Sequence, residues 1–415
     1  MWVAKRFDLT WSDLGASLAH CLRPAGADEA AAELEHLWSP QGDALACLSV
    51  RSAFDLYLET RRFPPGTEIV FSAMTVADMP RIALRHGLVP VPADLDPATA
   101  APSVGTLERA CTSETRAVVL AHLFGGRMDV DELVRFAHER GLEVVEDCAE
   151  AYSGPGFTGH PDSDVTLFSF GPIKHATALG GALARVRDPE LLARMRALHA
   201  SWPRQAVPLY AFRVLKYTTL YGLSLRLPYT LISAAARLLH LDLDRLTNRL
   251  TRGFGNRKLF RRIRRRPSAP LLRTLTRRLS QDIGRLRVQE VRGRRLVSDA
   301  DLGSACPGCG TVPNTFWLLP VLAEDPNALV GTLRRAGFAA TRGRAFTVVG
   351  TESAQEESPG ATRIHEKAVY VPFYSAMSEA AVSRLTDVLA SARPILSAPQ
   401  AATPPTHPPT SASRP

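Results

Sequence analysis

The sequence predicts an α/β protein with two parts: a large domain whose mainly parallel sheet is flanked by helices, and a small C-terminal α+β domain. Over residues 45–147, short apolar runs alternate with amphipathic helical segments, which is typical of crossover units in a parallel sheet. Over residues 314–390, a few strands and helices follow one another in a compact order. With 415 residues, 45% of them hydrophobic, the chain is long enough to bury both cores.

The elements of the first half follow from local patterns. A leading arm contains one charged amphipathic helix over 27–37. The large domain is then predicted to run through helix 52–62, strand 68–74, helix 76–86, strand 88–94, helix 105–112, strand 116–124, helix 129–140 and strand 142–147. We expect Asp129 to cap the helix that begins there and Gly141 to follow its last turn.

The second half changes in character after a helix predicted over 188–199. Residues 208–240 are apolar and aromatic, but charges limit the longest uncharged run to about ten residues, too few to span a bilayer. Residues 268–296 are predicted to form one long helix with many arginines. The small domain is predicted from a strand in 315–323, a helix over 327–336, short strands near 338–341 and 368–372, and a helix over 378–390.

These patterns divide the chain into five parts. They are an N-terminal arm (1–44), a large cofactor-binding domain (45–200), a basic apolar helical insertion (201–267), a linking helix with the small domain (268–396) and a Pro-rich tail (397–415). The tail is expected to be disordered, because it has almost no large apolar side chain to bury.

Positive charge is concentrated in the middle of the chain. Residues 201–297 carry 23 Lys and Arg against 4 Asp and Glu, whereas the whole chain has a net charge of +9. Recognition modules for nucleic acid are missing from this stretch, so no nucleic-acid partner is predicted. A peripheral contact of residues 208–266 with an anionic membrane surface is one interpretation, and packing on the insertion's own domain or on a second subunit is the other.

The cysteines and the N-terminus indicate a cytoplasmic protein, and a peripheral location at the inner face of the membrane is the alternative. The six cysteines have no framework spacing, which favours a reducing compartment. Cys306 and Cys309 form a CxxC pair that we interpret as a chance loop pair rather than a metal or redox site. The first residues have no apolar stretch followed by a cleavage site, so no signal peptide is predicted.

Residues 142–184 carry the candidate chemistry. They are predicted to form three strands joined by loops, with Asp147, Ser169 and Lys174 at strand ends, where ligands bind in α/β sheets. A pyridoxal phosphate site needs a lysine to form an imine, a carboxylate to keep the pyridine nitrogen protonated, and hydroxyls near a helix start for the phosphate. Lys174, Asp147 and the hydroxyls of Ser52 and Ser169 meet these needs, and Glu150 is placed to contact the phenolic oxygen of the cofactor.

Each of these signals has an ordinary explanation. A lysine in a glycine-flanked loop is usually solvated, an aspartate after a buried strand usually forms a turn, and a serine at a helix start is usually only a cap. The prediction therefore rests on their combination, in order, along a parallel-sheet pattern.

Three segments resemble the DegT/DnrJ/StrS family of sugar aminotransferases. They read PPGTEIVFSAMTVADMPRIALRHGLVPVPADLD, HLFGGRMDVDELVRFAHERGLEVVEDCAEAY and DVTLFSFGPIKHATALGGALARVRD. The resemblance implies a fold-type I pyridoxal-phosphate enzyme with a seven-stranded sheet. It also implies a homodimer with active sites at the subunit interface, and transfer of an amino group, commonly from glutamate, to a keto-sugar attached to a nucleotide.

The resemblance also implies roles for single residues. Lys174 matches the Schiff-base lysine and Asp147 the partner of the pyridine nitrogen. Ser169 matches a phosphate ligand, and Ser52 matches the hydroxyl of the first phosphate loop. A sugar-dehydrating relative has His at the position of Lys174, so the lysine favours transamination, with Lys174 as the general acid and base.

Four positions depart from the family pattern. Glu150 replaces a Gln, Val76 replaces an aromatic residue that covers the ring, and Arg51 replaces the Gly of a Gly-Thr pair. The loop that crosses from the second subunit is replaced by an arginine run, which leaves Arg266 as a candidate phosphate ligand in trans.

Arg342 is a candidate for the carboxylate of the amino donor, with a solvated arginine as the alternative.

The predicted function is therefore an aminotransferase that acts on a nucleotide-linked or membrane-proximal keto-sugar in amino-sugar biosynthesis, serving cell-surface polysaccharide or secondary metabolism. A pyridoxal-phosphate enzyme of another reaction type, such as dehydration or elimination, is one alternative. A catalytically silent family member that acts as a membrane-surface or complex-forming protein is the other, because of the departures at Arg51, Val76 and Glu150.

Overall fold

A computed structural model describes residues 1–23, 26–238, 259–343, 346–350 and 356–397. The helices are α1 (Trp11–Leu22), α2 (Ala27–Trp38), α3 (Val50–Arg61), α4 (Asp78–Arg85), α5 (Val104–Ala110), α6 (Asp131–Glu139), α7 (Pro189–Ser201), α8 (Val207–Leu223), α9 (Arg226–Leu238), α10 (Leu259–Ile263), α11 (Ala269–Leu279), α12 (Gly284–Asp299), α13 (Pro326–Arg335), α14 (Pro359–Lys367) and α15 (Glu379–Ser391). The strands are β1 (Ala44–Cys47), β2 (Glu68–Ser72), β3 (Met74–Val76), β4 (Val89–Ala93), β5 (Thr115–Ala121), β6 (Glu143–Asp147), β7 (Val165–Ser169), β8 (Ala182–Val186), β9 (Leu319–Leu322), β10 (Phe346–Val348) and β11 (Ala368–Val371).

The central sheet of the described residues has seven strands in the order β1-β8-β7-β6-β5-β2-β4. Strands β4, β2, β5, β6 and β7 run parallel to one another, whereas β8 runs antiparallel to both β7 and β1. Most residues of the seven-stranded sheet are buried, as expected for strands covered by helices on both faces. The predicted mainly parallel sheet is therefore confirmed.

The C-terminal segment contains a smaller antiparallel pair, β9 with β11, which packs with α13 and α15 around its own apolar cluster. A second short pair joins this segment to the residues that follow β2, because β10 pairs with β3, with Phe346 opposite Val76, in a separate two-stranded sheet. The predicted strand near 338–341 is wrong. Phe338 and Thr341 make only isolated bridges, to Trp2 and Tyr370.

The predicted single helix over 268–296 is also wrong, since α11 ends at Leu279 and α12 begins at Gly284. The turn between them points Gln281 inward, where its amide donates to Asp13 Oδ1 at 2.7 Å. Arg278, which is 3% exposed, donates to Asp13 Oδ2 at 2.9 Å. The chain turns here to complete this buried polar contact, although the apolar periodicity continues across the turn.

The N-terminal arm is more structured than the sequence indicated. Helix α1 was not predicted, and it begins with a capping box in which Thr10 and Asp13 bond to each other's backbone. Other boundaries agree with expectation: Gly141 has a φ of +68° after α6. Asp129 is not the N-cap of α6, which is Val130, but its Oδ1 accepts from the amide of Asp131 at 3.0 Å.

The insertion is helical where it is described, and α8 buries Tyr210, Val214, Tyr217 and Tyr221 on one face. None of the helices in the described ranges has the length and apolar character needed to cross a membrane. Residues 239–258 of the insertion and residues 398–415 of the predicted disordered tail lie outside the described residues. The five-part division of the chain stays a prediction.

The CxxC pair corrects the expectation of unpaired cysteines. Cys306 and Cys309 are joined by a disulfide, with Cα atoms 5.6 Å apart, while Cys21, Cys47, Cys111 and Cys148 are free. The Pro-Gly turn between the two cysteines folds the chain back on itself. It thereby brings the Cα atoms to a normal disulfide separation, which spacing alone did not indicate.

Gly125 joins the C-terminal segment to the sheet, and its replacement by alanine tests that contact. Its φ is +100°, its carbonyl accepts from the amide of Thr315 at 2.9 Å, and an added Cβ would lie 2.4 Å from the backbone nitrogen of Trp317. We expect Gly125→Ala to lower the free energy of unfolding by roughly 3–5 kcal/mol, from backbone strain and overpacking together.

The matched control is Gly141→Ala. Gly141 also has a positive φ, but the space around an added Cβ is open, so this variant should lower the free energy of unfolding by only about 1–2 kcal/mol. Denaturant unfolding of both variants measures the difference. Equal losses would contradict close packing at Gly125.

Candidate active site

Two predicted residues end neighbouring strands of the sheet. Asp147 is the last residue of β6 and pairs with Leu167 of β7. Ser169 is the last residue of β7, two positions further along. Both residues therefore lie at the carboxyl ends of adjacent parallel strands, as the sequence predicted.

The carboxyl of Asp147 is buried and incompletely paired. It is 6% exposed, and its Oδ1 accepts from the amide of Ala149 at 3.0 Å. Burial raises the pKa of Asp147, against the opposing effects of the Ala149 amide and the positive charge of Lys174. Among the described residues, no further hydrogen bond to this carboxyl is found, so it can accept a cationic partner.

The amine of Lys174 is held by a carboxylate and an aromatic ring. Its Nζ donates to Glu150 Oε1 at 3.0 Å, and Glu150 Oε2 accepts from the amide of Phe124 at 3.0 Å. The amine also lies 3.7 Å from the centroid of the Trp317 ring. The indole of Trp317 in turn donates to the carbonyl of Ile173 at 2.7 Å, which fixes the loop that carries the lysine.

The first phosphate loop differs from expectation in detail. Helix α3 begins at Val50 rather than at Ser52, and its N-cap is Ser49, whose side chain accepts from the amide of Ser52. Ser52 is fully buried, with its Oγ 2.9 Å from the Oγ of Ser49. Arg51 forms an ion pair with Asp78 at 2.5 Å, so its guanidinium already has a carboxylate partner in this chain.

Three other predicted residues have local partners. Val76 pairs in β3 with Phe346, and helix α4 begins only at Asp78. The guanidinium of Arg266 donates to the carbonyl of Trp202 at 3.2 Å. Arg342 is exposed and donates to the carbonyl of Glu366 at 2.5 Å.

Sequence analysis missed two residues at this site, Trp317 and Lys5. The amine of Lys5 donates to the carbonyl of Trp317 and lies 4.6 Å from the centroid of its ring. Both residues reach Lys174 only through tertiary folding, one from the N-terminal arm and one from the C-terminal segment. No spacing or motif in the sequence connects them.

A buried polar cluster supports the strand that ends at Asp147. His122, Glu146 and Cys148 place one potential metal-ligand atom each within 4.8 Å of one another. Hydrogen bonds already engage these atoms, since His122 Nε2 lies 2.8 Å from Glu146 Oε1 and Cys148 donates to the same oxygen at 3.3 Å. His122 Nδ1 accepts from the amide of Met128, so Nε2 carries the proton. We interpret the cluster as structural.

Glu146 gives this cluster a measurable pH dependence. Burial alone would raise the pKa of Glu146, but hydrogen bonds from His122, the His160 amide and Ser163 lower it from 4.5 to about 2. The carboxylate therefore stabilises the fold above pH 4.5, and this contribution is lost as the pH falls toward 2.

We expect Glu146→Gln to lower the free energy of unfolding by roughly 3 kcal/mol at pH 7, and by progressively less below pH 4.5. Denaturant unfolding at pH 7, 5 and 3.5 measures this difference. The matched control is Glu143→Gln on the same strand, because burial raises rather than lowers the pKa of Glu143. A loss for Glu146→Gln that does not change with pH would contradict the assignment.

Comparisons with known proteins agree with the resemblance found in the sequence. The family model described as the DegT/DnrJ/EryC1/StrS aminotransferase family matches residues 31–251, more than half of the chain. The UDP-N-acetyl-3-dehydro-alpha-D-glucosamine 3-aminotransferase of Acidithiobacillus ferrooxidans is 32% identical over 167 residues, which cover 38% of this chain and 44% of that protein. The GDP-perosamine synthase of Caulobacter vibrioides is 32% identical over 158 residues, covering 37% and 42%. The matched region thus spans less than half the length of these curated relatives.

Solved structures show that the fold extends over nearly the whole chain. The sugar aminotransferase CalS13 from Micromonospora echinospora superimposes with a TM-score of 0.67 over 94% of this chain and 100% of its own, at 17% identity. The aminotransferase TlmJ from Streptoalloteichus hindustanus gives 0.66 over 93% and 97%, at 21% identity. The predicted fold class is confirmed.

Proposed function

We propose a function from one premise: the chain belongs to the DegT/DnrJ/EryC1/StrS aminotransferase family. The proposed activity is pyridoxal-phosphate-dependent transfer of an amino group from an amino acid, glutamate by resemblance, to a keto-sugar. Relatives named for UDP- and GDP-linked sugars support a nucleotide-linked acceptor. The observation that carries the proposal is the buried carboxyl of Asp147 beside the amine–carboxylate pair of Lys174 and Glu150.

The residues present fit pyridoxal phosphate, the cofactor that the family implies. Asp147 would hold the pyridine nitrogen, because a buried carboxyl with a raised pKa gains from a cationic partner. The hydroxyls of Ser52 and Ser169, with the N-terminus of α3, would hold the phosphate. When bound, the cofactor supplies an electron sink for the charge left on Cα of the amino acid as its proton departs.

Lys174 performs the proton transfer in this proposal. Its amine must leave Glu150, and in the neutral form it takes the proton from Cα of the amino acid and later returns it. The Trp317 ring, 3.7 Å from the amine and 3% exposed, shields it from water. Glu150 contributes a negative charge where the family pattern has an amide.

Lys174→Ala tests the proposal directly. We expect the rate of amino transfer from glutamate to fall by at least roughly 10²- to 10⁴-fold, and the visible absorbance of bound cofactor to disappear. The matched control is Lys367→Ala, which removes a partly exposed lysine paired with Glu324. A Lys174→Ala protein that keeps the absorbance band would overturn the lysine assignment.

A catalytically silent member of the family is the second candidate. The ion pairs Lys174–Glu150 and Arg51–Asp78 favour it, since both engage groups beside the proposed cofactor site. An absorption spectrum of purified protein with added pyridoxal phosphate, before and after glutamate, separates the two candidates. Cofactor binding followed by a glutamate-dependent change supports the enzyme, and an unchanged spectrum supports the silent member.

We further propose that the protein acts in the cytoplasm as a homodimer, with its sites at the subunit interface. Arg266 of one protomer would reach the phosphate bound by its partner. Within its own chain Arg266 lies 3.6 Å from Asp28, whose side chain is 86% exposed, so the ion pair is weak and open to exchange.

Helices α8 and α9 support a peripheral contact with an anionic membrane surface. Seven large apolar side chains of these helices are at least 44% exposed: Leu209, Phe212, Leu215, Leu223, Leu227, Leu231 and Leu238. Neither helix contains an Asp or Glu, whereas both contain arginine and α8 also contains Lys216. An apolar face with basic and no acidic residues complements anionic headgroups above an acyl layer.

Vesicle sedimentation tests this contact. The wild type should bind vesicles that contain phosphatidylglycerol more than vesicles of phosphatidylcholine, less so at high salt, and the double variant Phe212→Glu/Leu231→Glu should not bind. The matched control is Val288→Glu/Val291→Glu, which places the same charges on exposed valines of α12. Failure of the wild type to bind at any salt concentration would contradict the proposal. So would a loss of dimerisation in the first variant with vesicle binding retained, because these helices would then be a subunit interface.

A further inference from the structure

The segment before α1 places a second amine beside Lys174. Lys5 and Lys174 lie against the same indole, 4.6 Å and 3.7 Å from the centroid of the Trp317 ring. The amine of Lys5 also donates to the backbone carbonyl of Trp317. Lys5 is therefore a candidate for contact with any molecule that approaches Lys174.

The position of Lys5 is fixed by contacts on both sides of it. Before it, the amide of Trp2 donates to the carbonyl of Gly337 at 2.7 Å, and the carbonyl of Trp2 accepts from Ala339 at 2.9 Å. After it, Asp8 Oδ2 accepts from the amide of Ala176 at 2.7 Å and pairs with Arg278 at 3.1 Å. The arm thus connects the C-terminal segment to the loop that carries Lys174.

Lys5 is partly buried, and its amine is not held by a carboxylate within the described residues. In the described ranges, no carboxylate oxygen forms an ion pair with its amine. Burial lowers the pKa of Lys5 from 10.5 to about 7, and the charge of Lys174 acts in the same direction, while Glu150 and Asp8 oppose them. The imidazole of His175 is influenced by the charges of Lys5, Asp8 and Lys174, and burial lowers the pKa of His175 to about 3. A partly buried amine of this kind gains from an incoming anion.

We propose that Lys5 binds the α-carboxylate of the amino-acid donor. This inference rests on the proposed aminotransferase function. The donor must bring its amino group to the position of the Lys174 amine, and its carboxylate is attached to the same carbon atom. Lys5, which shares the Trp317 indole with Lys174, is placed to receive it. Arg342, which the sequence left as a candidate for this carboxylate or a solvated arginine, is exposed and donates to the Glu366 carbonyl.

The proposal predicts proton uptake when a carboxylate binds. An anion beside Lys5 raises its pKa, so above about pH 7 the free amine takes up as much as one proton on binding. A guanidinium at the same position is already charged and takes up none. Lys5→Arg therefore separates binding by Lys5 from a merely structural role of the arm.

The experiment uses cofactor-loaded full-length protein and glutarate, a dicarboxylate with no amino group to transfer. Isothermal titration at pH 8 in two buffers of different ionisation enthalpy gives the affinity and the protons taken up. We expect Lys5→Met to weaken glutarate binding roughly 10- to 100-fold and to abolish proton uptake. Lys5→Arg should retain binding without proton uptake. The matched control is the neighbouring Arg6→Met, whose side chain contacts Tyr221 instead, and it should behave as the wild type.

The outcomes separate this inference from the proposed function. If the wild type binds no cofactor, the aminotransferase proposal fails. If the wild type and Lys5→Met both bind cofactor and have the same affinity and proton uptake for glutarate, the assignment of Lys5 is overturned and the proposed function stands. Loss of cofactor from Lys5→Met alone would also overturn it, because Lys5 would then serve the cofactor.

Discussion

The ion pair between Lys174 and Glu150 holds together the parts of the chain that form the candidate site. Glu150 follows β6, and its second oxygen accepts from the amide of Phe124, which follows β5. The pair therefore connects two strand ends to the loop that carries the lysine. The amine of Lys174 is partly buried and has this carboxylate as its ion-pair partner, so the position of Lys174 depends on the residue that replaces the family's Gln.

The site is completed by segments that are far apart in the sequence. Trp317 belongs to the C-terminal segment. Its backbone packs closely against Gly125, which follows β5 and has no side chain to prevent this approach. Lys5 arrives from the N-terminal arm, which is anchored through Trp2 and Asp8. Both contact the region of one amine, so a change in either segment is expected to affect the chemistry at Lys174 as well as the stability of the fold.

The sequence was sufficient where a structural feature depends on neighbouring residues. Buried apolar runs predicted most strands of the sheet, and the ends of those strands identified Asp147 and Ser169. It was not sufficient where an element is short or depends on distant partners. Strands β3 and β10 have three residues each, too few for a period to appear. Apolar periodicity continues through residues 280–283, so it does not predict the turn at Gln281. The contact of Gln281 with Asp13, a distant residue, explains why the chain turns there. Nothing local in the sequence relates Lys5 or Trp317 to Lys174.

The central claim is that the amine of Lys174 is the group that joins covalently to pyridoxal phosphate. Borohydride reduction of cofactor-loaded protein, followed by proteolysis and mass spectrometry of the peptides, tests it most directly. The account predicts that the pyridoxyl mass is found on the peptide that contains Lys174, in about one equivalent per chain. Label on the peptide that contains Lys5, or no label at all, would contradict it.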